Sequence, residues 1–234
     1  MLLALERSGS VASAALVAAD GSVAASVASP GAGAGDAFPL VRDLLAAAGA
    51  SPADLTAFAV GIGPGSFSGI RSALALAQGL ALPAGLPVRG VCTPAAFLFR
   101  RRRENPAAPR GRVLGDARRG HAWAFDEPDD FLSLSHTAAD VALFSADGSD
   151  AALPPASGLF ADVRALFAAD PGRLAPLFAA HGAGAPAPAV ATAADIAALC
   201  LAGSSGEPAP IYLHPAVAVP AAGRNPLPAR GGFC

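Results

Sequence analysis

Short apolar runs separated by glycine, proline and polar residues organise the first hundred residues. Alternating or continuous apolar positions over 4–8 residues predict strands, while a 3–4 residue spacing predicts helices. Asp20-Gly21, between two such runs, is typical of a hairpin turn. The order β-β-β-α-β-α-β-α predicts an α/β lobe with a strand meander at one edge. The predicted strands are 2–5, 11–18, 22–28, 58–61 and 88–92, and the predicted helices are 37–48, 72–82 and 95–100, the last capped by Thr93-Pro94.

The second half has a weaker pattern. Arg118-Arg119-Gly120 predicts a turn between two hairpin strands. The predicted strands are 113–116, 121–125 and 131–134, and the predicted helices are 140–144, 162–168 and 193–201. We therefore expect an amino-terminal lobe (1–99), a linker (100–112), a smaller carboxyl-terminal lobe (113–214) and a disordered tail rich in proline and glycine (215–234).

The segment 61–71 has the most specific composition in the chain. Gly63-Pro64-Gly65 follows a predicted strand and precedes a predicted helix, an order that directs backbone N–H groups toward an anion or a partner. It lacks the lysine of a Walker A loop and the glycine spacing of a dinucleotide fingerprint. Its residues alone leave three roles open: phosphate binding, protein docking and a tight turn.

Composition narrows the class of protein. The 234 residues carry a net charge of −2 and only 15% charged residues, which gives no general case for a nucleic-acid or membrane partner. All 16 basic residues are arginine. The three cysteines are far apart, so no zinc site or disulfide framework is indicated. No apolar run of ~20 residues and no signal peptide is evident, and we expect a cytoplasmic location.

Several other residues have a structural and a functional interpretation. The run Arg100–Arg103 favours a helix end that complements the helix dipole over a contact with tRNA phosphates. Asp116, beside the predicted hairpin turn, favours a turn hydrogen bond or salt bridge over catalysis. Trp123 and Tyr212 favour packing over base stacking. The four histidines are scattered, and no metal motif is present.

The glycine segment and its flanks resemble one family. Gly63-Pro64-Gly65-Ser66-Phe67-Ser68-Gly69-Ile70-Arg71 resembles the Gly-Pro-Gly-Ser-Phe-Thr-Gly-Leu/Val-Arg loop of the bacterial TsaB (YeaZ) proteins. Residues 75–81 and 87–93 are similar to the next helix and strand of that family. Residues 113–124 are similar to its Asp-Ala-Arg-x-Gly hairpin, and 210–213 to its closing Pro-x-Tyr-Leu. The similarity thus extends over most of residues 2–213.

The resemblance implies a two-lobed α/β fold of the actin-like ATPase type (sugar kinase, Hsp70, actin; RNase H-like) with a degenerate nucleotide site. It implies a non-catalytic, glycoprotease-like subunit that binds a TsaD-type catalytic subunit and a TsaE-type ATPase. That machinery installs threonylcarbamoyl on adenosine 37 of tRNAs reading codons that start with A. The chain would form heterodimers or homodimers, meet tRNA indirectly and hold no metal or cofactor, with ATP bound by the partner complex.

The partner-binding residues that the resemblance implies are those of the loop and the helix start. They are Gly63, Pro64, Gly65, Ser66, Phe67, Ser68, Gly69 and Arg71. Arg71 lies early in a helix, where a cation is unfavourable, so we expect it to pair with a carboxylate or an anion. An exposed Phe67 would anchor a partner, whereas a buried one would fill the core.

Two departures from the family pattern stand out. The first strand ends in Glu6-Arg7-Ser8 where the family has Asp-Thr, and Gly33-Ala34-Gly35-Asp36 replaces a His-Ser-Glu helix entry. The first departure fits a chain that does not hydrolyse ATP. Two alternatives stay open at this stage: a weak ATPase or glycoprotease-type hydrolase of the same fold, and a structural homodimer with no role in tRNA modification.

Overall fold

Two five-stranded mixed sheets form the framework of the chain in a computed structural model that describes residues 1–30, 37–147, 149–160 and 165–214. The strands are β1 (Leu2–Glu6), β2 (Val11–Val17), β3 (Val23–Pro30), β4 (Ala57–Gly61), β5 (Val88–Val91), β6 (Gly111–Arg118), β7 (His121–Asp126), β8 (Ala142–Ser145), β9 (Ala165–Ala168) and β10 (Ala187–Pro188). The helices are α1 (Phe38–Ala47), α2 (Phe67–Ala81), α3 (Thr93–Glu104), α4 (Pro171–Ala180) and α5 (Ala193–Leu201).

The first sheet has the strand order β3-β2-β1-β4-β5. β1, β2 and β3 form the predicted antiparallel meander, while β1, β4 and β5 are parallel. The turn between β2 and β3 is held by Asp20, whose carboxylate accepts the Ser22 N–H at 2.9 Å. Every residue of β1 is buried, because helices cover both faces of a central strand in such a sheet.

The second sheet repeats this topology. Its order, β10-β9-β6-β7-β8, is that of the first sheet when β6 takes the place of β1. β6, β7 and β8 are antiparallel, and β6, β9 and β10 are parallel. The chain has no sequence repeat of fixed period, so the duplication is evident only in the order and direction of the strands.

The helices pack mainly on the first sheet. α1 buries Val41, Leu44 and Leu45 against β2 and β3, and α2 packs on β4 and β1. α5 lies in the segment assigned from sequence to the second lobe, yet it contacts β1, β2, β4 and β5 of the first sheet. α3 continues through Arg100–Arg103, so the segment predicted as a linker begins inside a helix. The lobe limits themselves stay a prediction.

Three element predictions in the second half are wrong. Residues 131–133 form a 3-10 turn rather than a strand, because the Asp130 carboxylate accepts the Leu132 N–H at 2.9 Å and bends the chain. The predicted helix 140–144 is strand β8, and the described end of the predicted helix 162–168 is strand β9. Helix α4 was not predicted. The tail 215–234 and the Gly33–Asp36 departure lie outside the described residues.

Candidate functional site

Three segments meet at the carboxyl-terminal ends of β1 and β4. They are the turn after β1 (residues 7–10), the loop between β4 and α2 (residues 62–66, the glycine loop) and the first turn of α3. β1 and β4 are neighbouring parallel strands, so both end at the same edge of the sheet. Open α/β sheets commonly bind ligands outside this edge.

Glu6 is the centre of a buried hydrogen-bond network at this edge. One carboxylate oxygen accepts the Ser8 hydroxyl at 2.6 Å and the Ser8 N–H, and the other accepts the Thr93 hydroxyl at 2.8 Å. Thr93 Oγ1 in turn accepts the Gly63 N–H at 3.3 Å. Burial raises the pKa of Glu6 above its ordinary value, although the hydrogen bonds from Ser8 and Thr93 oppose this effect. The departure from the family pattern therefore lies directly against the glycine loop.

Thr93 has a different role from the predicted helix cap. α3 begins at Thr93 itself, and its N-cap is Cys92, which makes no side-chain capping bond. The Thr93 hydroxyl is directed instead to Glu6, 87 positions earlier in the chain. A threonine that precedes a proline at a helix start is typical of a cap, and nothing local to it indicates a distant carboxylate.

The glycines of this region are required because other parts of the chain occupy the space beside them. A Cβ atom on Gly61 would overlap the Glu6 carboxylate. A Cβ on Gly65 would overlap the carbonyl oxygen of Ser8, and one on Gly69 would overlap that of Arg7. The turn after β1 thus packs into the glycine loop at close range. The Gly63-Pro64 peptide bond is cis.

Several N–H groups of the loop are bonded within the chain. The Ser66 N–H donates to the Ser8 carbonyl at 2.8 Å, and the Gly69 N–H donates to the Ser66 hydroxyl at 3.3 Å, which makes Ser66 the N-cap of α2. The Gly63 N–H donates to Thr93. These donors, which would favour an anion in an open loop, are satisfied by the protein itself.

The first turn of α2 presents an exposed aromatic group beside the loop. Phe67 is 56% exposed, and the guanidinium carbon of Arg71 lies 5.0 Å from the centre of its ring. The ring of Tyr212 lies 5.6 Å from that of Phe67 and is itself 49% exposed. Within the described residues Arg71 has no ion pair, so the expected carboxylate is not found there. We call Phe67, Arg71 and Tyr212 the aromatic surface.

The arginine run Arg100–Arg103 in α3 forms ion pairs with carboxylates of other elements. Glu127, which is buried, pairs with Arg102 at 2.5 Å and with Arg101 at 3.4 Å. Arg100 pairs with Asp195 of α5 at 3.0 Å. Three of the four arginines are therefore used for packing between elements, a role that the sequence interpretation did not include.

The hairpin between β6 and β7 agrees with the structural interpretation of Asp116. Its carboxylate accepts the Arg118 N–H at 2.8 Å and pairs with the Arg173 side chain at 3.4 Å. The turn places Arg118 and Arg119 at positive φ. Trp123 is buried in the core, as its packing role requires.

Sequence reasoning missed two features. Sequence favours packing for Tyr212, yet about half of its side chain is exposed. Its place in a short motif similar to the family's Pro-x-Tyr-Leu is the signal for a role at the surface. His136 is one of four histidines that are scattered along the sequence. Its Nδ1 accepts the Cys92 N–H at 3.0 Å, and its Nε2 lies 2.8 Å from the Ser204 hydroxyl. No local pattern around His136 indicates these distant partners.

The comparison with protein families identifies the class of the chain. Residues 35–176, more than half of the chain, match the family model described as TsaD: tRNA N6-adenosine threonylcarbamoyltransferase. Over 96 residues the chain is 44% identical to the tRNA threonylcarbamoyladenosine biosynthesis protein TsaB of Escherichia coli, and over 51 residues 45% identical to that of Haemophilus influenzae. The chain belongs to this family, in its TsaB (YeaZ) branch. These alignments span 40% and 22% of the two curated relatives.

Solved structures of TsaB (YeaZ) relatives cover more of the chain. YeaZ from Pseudomonas aeruginosa is 28% identical, with a TM-score of 0.63, over 91% of this chain and 99% of its own. A second protein, with similarity to peptidase YEAZ from the same organism, is 25% identical with a TM-score of 0.64 and the same coverage. The predicted family is confirmed, and the predicted α/β class is confirmed as two mixed sheets with helices, a fold that the chain shares with these YeaZ structures.

The described ranges lack two features. No helix there is long and apolar enough to cross a lipid bilayer. Within the same ranges, no group of three His, Cys, Asp or Glu side chains is placed to hold a metal ion.

Proposed function

We propose that the chain is a non-catalytic scaffold subunit that binds a TsaD-type catalytic subunit through the glycine loop and the start of α2. The observation that carries this proposal is the exposed Phe67, which lies beneath Arg71 at the edge of a loop that the chain's own residues fill. A large exposed aromatic side chain backed by an arginine is typical of a protein-binding hot spot.

The names of the curated relatives support the process that we assign to the chain. Both matched relatives are named for tRNA threonylcarbamoyladenosine biosynthesis. We assign to it the same process, in which the partner modifies adenosine 37 of tRNAs reading codons that start with A. A TsaE-type ATPase acts in the same complex, and tRNA is reached through the partner.

The filled loop supports the non-catalytic part of this proposal. Glu6 and Ser8 occupy the edge of the sheet where a related ATPase would place phosphate, and the Ser66 N–H is bonded to Ser8. A buried carboxylate at this point opposes the approach of a second anion. We therefore assign no cofactor to the chain and place ATP with the partner complex.

The test is co-purification with the catalytic homologue from the same organism, measured by titration as well. Phe67→Ala and Arg71→Glu are each expected to weaken binding at least about ten-fold, because both remove part of a central contact. A glutamate early in α2 does not oppose the helix dipole, so the fold of Arg71→Glu should persist.

Two matched variants control for general surface effects. Leu132 is 59% exposed, and Arg103 lies over Phe99 at 5.7 Å much as Arg71 lies over Phe67. Leu132→Ala and Arg103→Glu should bind the partner as the unaltered chain does. Equal binding by all four variants would overturn the docking proposal. Nucleotide affinity of the isolated chain in calorimetry would favour the ATPase alternative.

A further inference from the structure

The segment after α5 runs across the edge of the first sheet. Gly206 pairs with Gly90 beyond α5, through hydrogen bonds of 2.8 and 3.0 Å. The Ile211 N–H then donates to the Ile62 carbonyl of the glycine loop at 3.0 Å, and the Ile211 side chain is buried. We call residues 210–214 the strap. Its first contact fixes it to the loop that the proposed function assigns to partner binding.

The strap is fixed at its other end by the second sheet. His214 Nε2 donates to the Ala117 carbonyl at 2.6 Å, and its ring lies 5.1 Å from the ring of His121 in the β6–β7 hairpin. Residues 211–214 are thus anchored to both sheets. Tyr212, between the two anchors, has its backbone held on either side.

This placement determines what the Tyr212 ring contacts. The ring packs on Phe67 at an interplanar angle of 40°, and about half of each side chain stays in solvent. Half-exposed aromatic rings are typical of binding surfaces, because a rigid ring gives a large contact area and loses little conformational entropy on binding. The exposed fractions show that the pair is not simply part of the core.

Arg71 completes the surface and gives it a charge. Its guanidinium carbon lies over the Phe67 ring, 5.0 Å from the ring centre. Such an arginine binds carboxylates with two parallel hydrogen bonds. Because no carboxylate of the described chain pairs with Arg71, charge complementarity indicates an acidic group on the partner.

We propose that Tyr212 is a partner-contact residue, and that the aromatic surface binds an apolar segment of the catalytic subunit that carries a carboxylate opposite Arg71. This inference rests on the proposed function and extends the docking site to the strap. The strap holds Tyr212 in its binding position before the partner arrives, which reduces the entropy lost on association.

The chain offers a specific probe, because Tyr212 is its only tyrosine. Labelling tyrosine with carbon-13 gives NMR signals from this one side chain. In the free chain, Phe67→Ala should shift these signals, since the ring current of Phe67 is lost. Addition of the catalytic subunit should shift or broaden them in the unaltered chain.

Binding measurements separate contact from support. Tyr212→Ala should weaken binding about ten-fold, and Tyr212→Phe should keep it within about three-fold, since an aromatic ring is retained. His214→Ala releases one end of the strap but keeps the Tyr212 side chain. It should therefore weaken binding less than Tyr212→Ala does. The melting temperature of each variant shows whether the fold is kept, with Leu132→Ala as the control.

The outcomes distinguish this inference from the proposed function. If the unaltered chain does not bind the catalytic subunit, the proposed function fails. If it binds and Tyr212→Ala binds equally well, only the inference about Tyr212 is overturned. Tyrosine signals that move with the concentration of the chain alone would indicate a second copy as the occupant and overturn the choice of partner. Rescue of Arg71→Glu by an acidic-to-arginine change in the partner would support the carboxylate.

Discussion

At the scale of the residue, Glu6 combines burial with three donors that its two carboxylate oxygens accept. Its place in the family pattern is taken by aspartate, a shorter side chain. The longer glutamate reaches Thr93 across the glycine loop and leaves no room for a side chain at Gly61. The glutamate at position 6 is thus accommodated by Thr93 and Gly61, which lie far from it in the sequence.

Replacement of Glu6 by glutamine should change how stability depends on pH. Because burial raises the pKa of Glu6 above 4.5, the folded chain holds this proton more tightly than the unfolded chain. Its contribution to stability is fully present below pH 4.5 and is lost as pH rises through the folded pKa. Glu6→Gln should therefore gain stability relative to the unaltered chain as pH rises.

Urea unfolding of both chains across this pH range measures the difference. The pKa of Asp195 is also raised by burial, but Asp195 is present in both chains and cancels. A stability difference that does not vary with pH would contradict the assigned role of Glu6.

Two glycines, one in the glycine loop and one in the last turn of α2, should respond in opposite directions to alanine. Gly65→Ala places a methyl group against the Ser8 carbonyl and should destabilise the fold by about 1–3 kcal/mol. Gly79, exposed in the last turn of α2, has nothing within 4 Å of the added atom, so Gly79→Ala should stabilise the fold by about 0.5–1 kcal/mol. Denaturant unfolding measures both, and equal effects would argue against a filled loop.

At the scale of the element, α3 shows why a run of like charges is not necessarily a solvated surface. Arg101 and Arg102 project toward Glu127 at the end of β7, and that carboxylate also accepts the Gly111 N–H at 2.8 Å. The buried Glu127 carboxylate is thus an acceptor shared by helix α3 and the start of strand β6. The sequence shows the four arginines but not the carboxylate that they meet.

Glu127→Ala should destabilise the fold by about 3 kcal/mol, because it leaves two partly buried guanidinium groups and an N–H without their acceptor. Arg103→Ser, in the same helix, should change the free energy of unfolding by less than about 1 kcal/mol. Thermal or urea unfolding gives both values. If the two changes reduce the free energy of unfolding equally, Glu127 does not anchor Arg101 and Arg102.

A test of tRNA contact by the arginine run should change Arg103 alone, because loss of Arg101 and Arg102 would also destabilise the fold.

The elements that sequence predicted correctly have local causes. The meander, α2 and α5 follow from alternation, an Asp-Gly turn and helical spacing, all within about 15 residues. β8 and β9 are four-residue apolar segments whose conformation is decided by the strands beside them, β7 and β6. α4 contains Gly172 and Pro176, two residues that are unfavourable in helices, so the sequence does not predict it. Asp170 caps this helix by accepting the Arg173 N–H.

At the scale of the whole molecule, His136 joins three parts of the chain. Because its Nδ1 accepts the Cys92 N–H, its Nε2 carries the proton and donates to Ser204, whose hydroxyl donates to the Phe131 carbonyl at 2.5 Å. The junction of β5 and α3, the loop before β8 and the end of α5 are thus linked through one neutral imidazole.

Protonation of His136 should destabilise the molecule. Burial lowers the pKa of His136 below 6.5, so the unfolded chain takes up this proton first as pH falls. The contribution is present above pH 6.5 and is lost between pH 6.5 and the lower folded pKa. His136→Asn, which suits the residue's φ of 54°, should be less stable at pH 7.5 but should lack this component. Unfolding at several pH values between 7.5 and 5 tests this, and parallel curves would exclude His136 as the group responsible.

The position of α5 determines the order in which the molecule can be completed. The first sheet needs α5 to cover β1, β2 and β4, and the Ser13 hydroxyl accepts the Ala193 N–H at the start of that helix. During synthesis, 123 residues separate the end of β5 at Val91, the last strand of the parallel core, from the end of the strap at His214. Until those residues leave the ribosome, an apolar face of the first sheet stays uncovered and open to aggregation. The early lobe of this chain is thus among the last parts to become fully folded.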